Sequence, residues 1–192
     1  MEQGAGIVNA MLGFSGGAGE QPGPCDLNAV VAETLKLLGD RFLHEVKVKF
    51  EPAPDLPEVW ASKSFIQQIL LNFIFNGAEA MTAHKQLILV TQKPGRLPDG
   101  LVLTPSVAAA QVAVSVRDFG GGIPPENLPR IFEPFFTTKA LSTRRGTGLG
   151  LSMVYELAKK MEAGLAVESV VNEGSTFTLI LPVRERPVEA KT

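Results

Sequence analysis

The 192-residue sequence predicts an α+β fold: a two-layer α/β sandwich whose mixed, mainly antiparallel sheet carries its helices on one face. Three observations predict it. Val112, Val114 and Val116 alternate with Ala113, Ser115 and Arg117, the period-two pattern of a strand with two unlike faces. Three longer stretches carry apolar residues at helical spacing and are interleaved with the strands. Several strands follow one another as hairpins, and one helical layer on one sheet is the economical way to bury both kinds of element.

The elements follow in order. In residues 1–24, Ile7, Val8, Met11, Leu12 and Phe14 form the apolar face of a short helix that gives way to a Gly/Pro-rich linker, with an unstructured start as the alternative. Asp26 caps a helix over Leu27–Phe42, with Val30, Val31, Leu35, Leu38 and Phe42 at helical spacing. Val46–Phe50 alternates as a strand, Pro52–Pro57 is a connection, and Val59–Trp60 is a short strand. Ser62 opens a helix that is apolar almost all round through Phe65, Ile66, Ile69, Leu70, Leu71, Phe73, Ile74 and Phe75, so it should be buried. Leu87–Gln92 is a strand. Residues 93–111 are a long hairpin excursion, with no function assigned, that returns in the strand from Val112. Leu151–Met161 is a helix, and Leu165–Val170 with Ser175–Leu181 make a hairpin around Asn172-Glu173-Gly174. The charged tail from Pro182 is expected to fray.

Composition narrows the class of partner. Hydrophobic content of 45% and charged content of 20% are those of an ordinary globular domain. A net charge of −2 gives no reason to expect nucleic acid or an anionic membrane surface, so an anionic ligand must be held by a local arrangement. The single cysteine, Cys25, excludes an internal disulfide and fits a reducing compartment. No apolar run approaches the roughly 18 residues of a bilayer span. These features indicate a cytoplasmic domain.

Gln68, Asn72 and Asn76 recur every four residues, a single polar stripe on the buried helix. One such amide is ordinarily satisfied by backbone. Three on one line suggest a cavity wall, where an Asn carbonyl oxygen suits a hard cation such as Mg²⁺. The Val112 strand ends on Asp118 and runs into Gly120, Gly121 and Gly122; a second glycine cluster, Gly146, Gly148 and Gly150, opens the next helix. An acid at a strand end with two glycine clusters bracketing a lid is a way to build a nucleotide pocket. Asp118 can accept a hydrogen bond from a purine amine, or it is a turn former before glycines. Gly120 and Gly122 let the backbone lie against a ring, and the second cluster frees N–H groups for phosphate. Lys139, Arg144 and Arg145 follow the terminal phosphate or are a solvated loop. Phe132, Phe135 and Phe136 form a hydrophobic anchor for the lid. Neither cluster is a P-loop or a dinucleotide fingerprint. Asp118-Phe119-Gly120 lacks the other protein-kinase motifs, and His44 and His84 stand isolated, as surface histidines.

NFIFNGAEAM (Asn72–Met81), DFGGGIP (Asp118–Pro124), IFEPFFTTK (Ile131–Lys139) and GTGLGLSM (Gly146–Met153) resemble the N, G1, F and G2 boxes of two-component sensor histidine kinases. Their order and spacing match the ATP-binding catalytic domain, of the Bergerat fold shared with gyrase and MutL, across roughly residues 26–183. The resemblance implies ATP and Mg²⁺ as cofactors, with Asn76 on the metal and Asp118 on the adenine amino group. It also implies a nucleotide site drawn from Asn72, Gly120, Gly122, Ile123, Thr138, Lys139, Gly146, Thr147, Gly148, Leu149, Gly150 and Leu151, with Asn72, Lys139 and Arg145 positioning phosphate. It divides the chain into residues 1–24, similar to the end of a phosphoacceptor hairpin helix plus a linker, a catalytic domain over 25–183, and a tail over 184–192. The partners implied are the family's own dimerisation and phosphoacceptor domain and a response-regulator receiver domain.

Two departures follow. The phosphoacceptor histidine is absent from these residues, so the chain by itself is expected not to phosphorylate itself; the family dimerises through the helices of that hairpin, so the chain is expected to be a monomer. Gly77 stands where the family usually has Ala, which loosens the helix by up to about 1 kcal/mol. In hydrolysing members a glutamate typically occupies the position of Asn72, and an amide cannot act as a general base. Phosphoryl transfer to a separately presented histidine is therefore favoured over an ATP-hydrolysing clamp, a silent docking module or a serine kinase.

Overall fold

The computed structural model describes residues 21–83, 85–106, 110–137 and 148–184. Eight strands and four helices are present among them: β1 (Gly23–Cys25), α1 (Leu27–Leu37), α2 (Gly39–Glu45), β2 (Lys47–Glu51), β3 (Val59–Ala61), α3 (Lys63–Ala80), β4 (Gln86–Gln92), β5 (Leu101–Leu103), β6 (Gln111–Arg117), α4 (Gly150–Lys160), β7 (Gly164–Val170) and β8 (Gly174–Pro182). Six strands form one sheet in the order β2-β4-β6-β8-β7-β5, and β1 pairs with β3 separately. Only β2 and β4 run parallel, joined by the crossover through α3; the other pairs are antiparallel. This is the mixed, mainly antiparallel sheet that the sequence predicts.

The core lies between this sheet and the helices. Val112, Val114 and Val116 of β6 and Phe177, Leu179 and Leu181 of β8 point into it and meet Ile66, Ile69, Leu70, Phe73 and Ile74 of α3. The Phe73 and Phe177 rings pack at 5.2 Å, setting the middle of α3 on the middle of the sheet. A helix apolar on every side needs cover on every side. α1 and α4 supply it by flanking α3, and Phe42 of α2 meets Phe75 edge-on at 5.5 Å.

Three elements differ from expectation. The first predicted helix is two. Asp26 caps α1, its Oδ1 accepting from Asn28 N at 2.8 Å and Ala29 N at 3.2 Å, but Gly39 has φ +74° and turns the chain into α2. The 93–111 excursion contributes the edge strand β5, which pairs with β7. To reach that edge from β4 it crosses behind β6, β8 and β7, where Leu97 covers Ala113, Ala166 and Ile180. The helices do lie on one face, and this crossing covers part of the other. Finally, the chain past β8 is bonded through Arg184: Val183 N donates to Ala110 O at 2.9 Å, and the Arg184 guanidinium donates to Ser106 Oγ and Glu162. The helix expected in residues 7–14 and the tail beyond residue 184 lie outside the described residues. Among the described residues no helix is long and apolar enough to cross a membrane.

Candidate functional site

Asp118 follows the last residue of β6, and its side chain is 2% exposed. The strand carries it there because β6 is paired on both sides, with β4 and β8, and its backbone N–H continues that pairing by donating to Ser175 O at 2.9 Å. One carboxylate oxygen, Oδ1, accepts from Gly120 N at 2.8 Å. An ionised carboxylate keeps further acceptor positions beyond one such bond. Burial pushes the Asp118 carboxyl above its usual value, and backbone hydrogen bonds from Gly120 and Ser175 partly oppose this.

α3 forms the wall behind the acid. At Gly77 an added Cβ would stand 2.8 Å from Leu87 Cδ2 and 3.1 Å from Asp118 Cβ. The glycine that the sequence marks as a weakness in the helix is thus where α3 approaches the acid. At Gly120 a Cβ would meet Ala80 O at 2.5 Å, and at Gly122 (φ +67°) it would run into the backbone of Val170 and Val171. The sequence reads these two glycines as making room for a ring; independently of any ring, neighbouring backbone excludes a side chain at both.

The polar stripe has two surroundings. Gln68 and Asn72 face α4: Gln68 Nε2 donates to Met153 Sδ at 3.1 Å, and Asn72 Oδ1 would lie 2.6 Å from a Cβ on Gly150. Asn72 is 1% exposed; its Nδ2 donates to Gln68 O at 2.9 Å, which fixes the orientation of the amide, and its buried Oδ1 has no hydrogen-bond partner among the described residues. Such an orphan costs roughly 1–3 kcal/mol. Asn76 is only half-buried. At 1.5 Å rise per residue, Asn72 and Gly77 are separated by about 7.5 Å along α3, with Asn76 between them.

Among the described residues no side chain caps α4, in contrast to α1, capped by Asp26, and α3, capped by Ser62. Its first-turn N–H groups therefore keep the anion-binding capacity of an open helix N-terminus. Leu149 just before it is 43% exposed, whereas Leu151 packs partly against the core. Gly148 has φ +66°, and its carbonyl accepts from Phe135 N at 3.0 Å. Phe132 lies 6.1 Å from Tyr155 of α4, and Phe136 also packs against the core. Those two pack on the body of the domain. Phe135 does not: it is 74% exposed with φ +65°.

Ile123 is half-buried, and its N–H donates to Ser169 Oγ at 2.8 Å. His44 is exposed, as read from the sequence. Thr138, Lys139, Arg144, Arg145, Gly146, Thr147 and His84 lie outside the described residues. Among the described residues no three His, Cys, Asp or Glu side chains could together hold a metal. Sequence reasoning missed the structural parts of Gly77, Ser169 and Ser175; each shows only once α3 and the β7–β8 turn are seen against the Asp118 loop.

A buried acid, a helix wall bearing amides and a helix N-terminus, arranged along one two-layer α+β sandwich, define a nucleotide-binding module. Residues 61–185 match the family described as histidine kinase-, DNA gyrase B- and HSP90-like ATPase, and the chain belongs to that family. It is similar to the sensor kinase CckA of Brucella abortus (strain 2308), 35% identical over 179 residues, covering 93% of this chain and 19% of that one. The sensor histidine kinase ZraS of Escherichia coli (strain K12) is 36% identical over 160 residues, covering 82% of this chain and 30% of its own length. The chain thus spans about a third or less of these curated relatives. Among solved structures, full-length ShkA in complex with AMPPNP superposes with a TM-score of 0.68 at 26% identity, covering 96% of this chain and 37% of that one. The catalytic domain of the histidine kinase ThkA gives 0.67 at 26% identity, covering 84% and 97%.

Proposed function

We propose that this chain is the ATP-binding catalytic domain of a sensor histidine kinase, presenting Mg-ATP to a histidine on a separate helical hairpin. The observation that carries this reading is the order of groups along α3. Gly77 stands against the buried Asp118, Asn76 is half-buried, and Asn72 stands against Gly150 at the start of α4. An adenine amine at Asp118 and phosphates at the N-terminus of α4 would leave the Asn76 carbonyl oxygen facing the metal between them. The chemistry of the donors fits: a hard cation takes amide oxygen, water and phosphate without a carboxylate cage. Mg²⁺, when bound, neutralises charge on the transferring phosphoryl group. This chain's residues bind and orient, and the acceptor nucleophile comes from elsewhere.

The similarity to CckA, ZraS and ShkA supports kinase chemistry. Hydrolysis would need a base where the amide of Asn72 is sealed against Gly150. The domain would act in the cytoplasm, with its parent's dimerisation and phosphoacceptor hairpin and a receiver domain as partners. Residues 25–183 would be the catalytic unit, and residues 1–24 the end of the hairpin and a linker. Lys139 and Arg145 would serve the phosphates.

The test is calorimetric titration with a non-hydrolysable ATP analogue, with Mg²⁺ and with EDTA, followed by addition of a phosphoacceptor hairpin in trans. Micromolar-range, Mg²⁺-dependent binding and acid-labile phosphate on the hairpin are expected. A folded chain that binds no nucleotide would overturn the reading. Binding without transfer would favour a docking module.

A further inference from the structure

The loop from Asp118 to Ile123 is held almost entirely by backbone. Asp118 N donates to Ser175 O at 2.9 Å, Gly121 N to Ala80 O at 3.3 Å, and Asn172 N to Gly121 O at 2.9 Å. Two side chains complete the set. Asp118 itself accepts from Gly120 N, and Ser169 accepts from Ile123 N at 2.8 Å. Ser169 is thus a side chain from outside the loop that hydrogen-bonds to the loop's backbone.

Its hydroxyl serves three groups at once. Besides accepting from Ile123 N, Ser169 Oγ lies 3.1 Å from Gly174 O, to which it can donate, and 2.9 Å from Ser175 Oγ. A hydroxyl has one proton, so with that proton on Gly174 O, Ser175 must donate to Ser169. Both neighbours bear on the acid. Ser175 O holds the Asp118 N–H, and at Gly174 (φ +112°) a Cβ would run into the backbone of Asp118 and Phe119. Ser169 therefore ties the far end of the loop, at Ile123, to the turn that fixes the near end, at Asp118.

We infer that Ser169 is a positioning residue for purine recognition: through the β7–β8 turn it sets the loop whose acid reads the base. The inference rests on the nucleotide reading above and adds a residue that does not touch the ligand.

The test uses two substitutions of nearly equal shape, Ser169→Thr and Ser169→Val. Both are β-branched and suit a strand, and only Thr keeps the hydroxyl. Thr should bind ADP within about twofold of wild type. Val should bind it about five- to tenfold more weakly, the worth of roughly one hydrogen bond. The preference for ADP over IDP, whose base carries a carbonyl in place of the amine, should shrink in Val and persist in Thr. Equal ADP binding by Thr and Val would overturn the inference alone. So would a loss in Val shared equally by ADP and IDP, which marks a merely structural serine. A wild-type chain that binds neither nucleotide would overturn the underlying reading as well.

Discussion

Replacing Asp118 by Asn should separate stability from binding. The substitution is isosteric, and the new Oδ1 can keep the 2.8 Å bond from Gly120 N, so the loop remains built. With that oxygen engaged, the amide presents Nδ2, a donor, where the acid presented an acceptor. A base amine would then meet a donor in place of a charged acceptor. A hydrogen bond to a charged group is worth about 1.5–3 kcal/mol, so adenine nucleotide affinity should fall by about 10- to 150-fold. Stability should move the other way. Burial raises the folded-state pKa of Asp118 above its usual value. A group shifted upward favours folding fully below its unfolded pKa and loses that contribution as pH rises through the folded pKa. At neutral pH the ionised acid is therefore a cost, and Asp118→Asn should melt at or above wild type, with the difference closing as the pH is lowered. Calorimetric titration and melting curves from pH 4 to 8 read both quantities. An Asn variant that melts below wild type at pH 7 and still binds nucleotide normally would refute the reasoning on both counts.

Gly150→Ala should destabilise the chain by about 1–3 kcal/mol through collision with Asn72 Oδ1, read as a lower urea midpoint; adding Asn72→Ala should recover most of it. Asn76→Ala should leave ADP binding in EDTA intact and abolish the gain that Mg²⁺ gives to the ATP analogue. An unchanged Mg²⁺ effect would remove Asn76 from the metal. Gly39→Ala, at φ +74° in open space, should cost about 1 kcal/mol in chemical denaturation and leave nucleotide affinity untouched.

The fold was legible where a pattern repeats. The alternation of β6, the apolar run of α3 and the closing β7–β8 hairpin each came through because burial imposes a period on the sequence. Single residues hid the rest. Leu35, Leu38 and Phe42 keep helical spacing across Gly39, so the periodicity passes over a break that one left-handed residue makes. β1 consists of Gly, Pro and Cys and exists because β3 is there to pair with it. β5 takes its place beside β7, about sixty positions away in the chain, a partnership that local preference cannot encode. In the candidate site, the motifs pointed to Asp118 and the α4 N-terminus. They did not show which glycines the protein's own packing requires: at Gly120, Gly122 and Gly77 an added Cβ would meet protein atoms.

The bond from Phe135 N to Gly148 O joins the chain to itself on either side of residues 138–147. It works as a drawstring. Whatever number of residues the loop contains, its ends are delivered to the same point beside α4. The entropy of closing such a loop grows only with the logarithm of its length, about 0.6 kcal/mol for each doubling. The length of the stretch between Phe135 and Gly148 is therefore decoupled from the architecture beside this bond, and insertions or deletions within it should leave Asp118, α3 and the start of α4 in place.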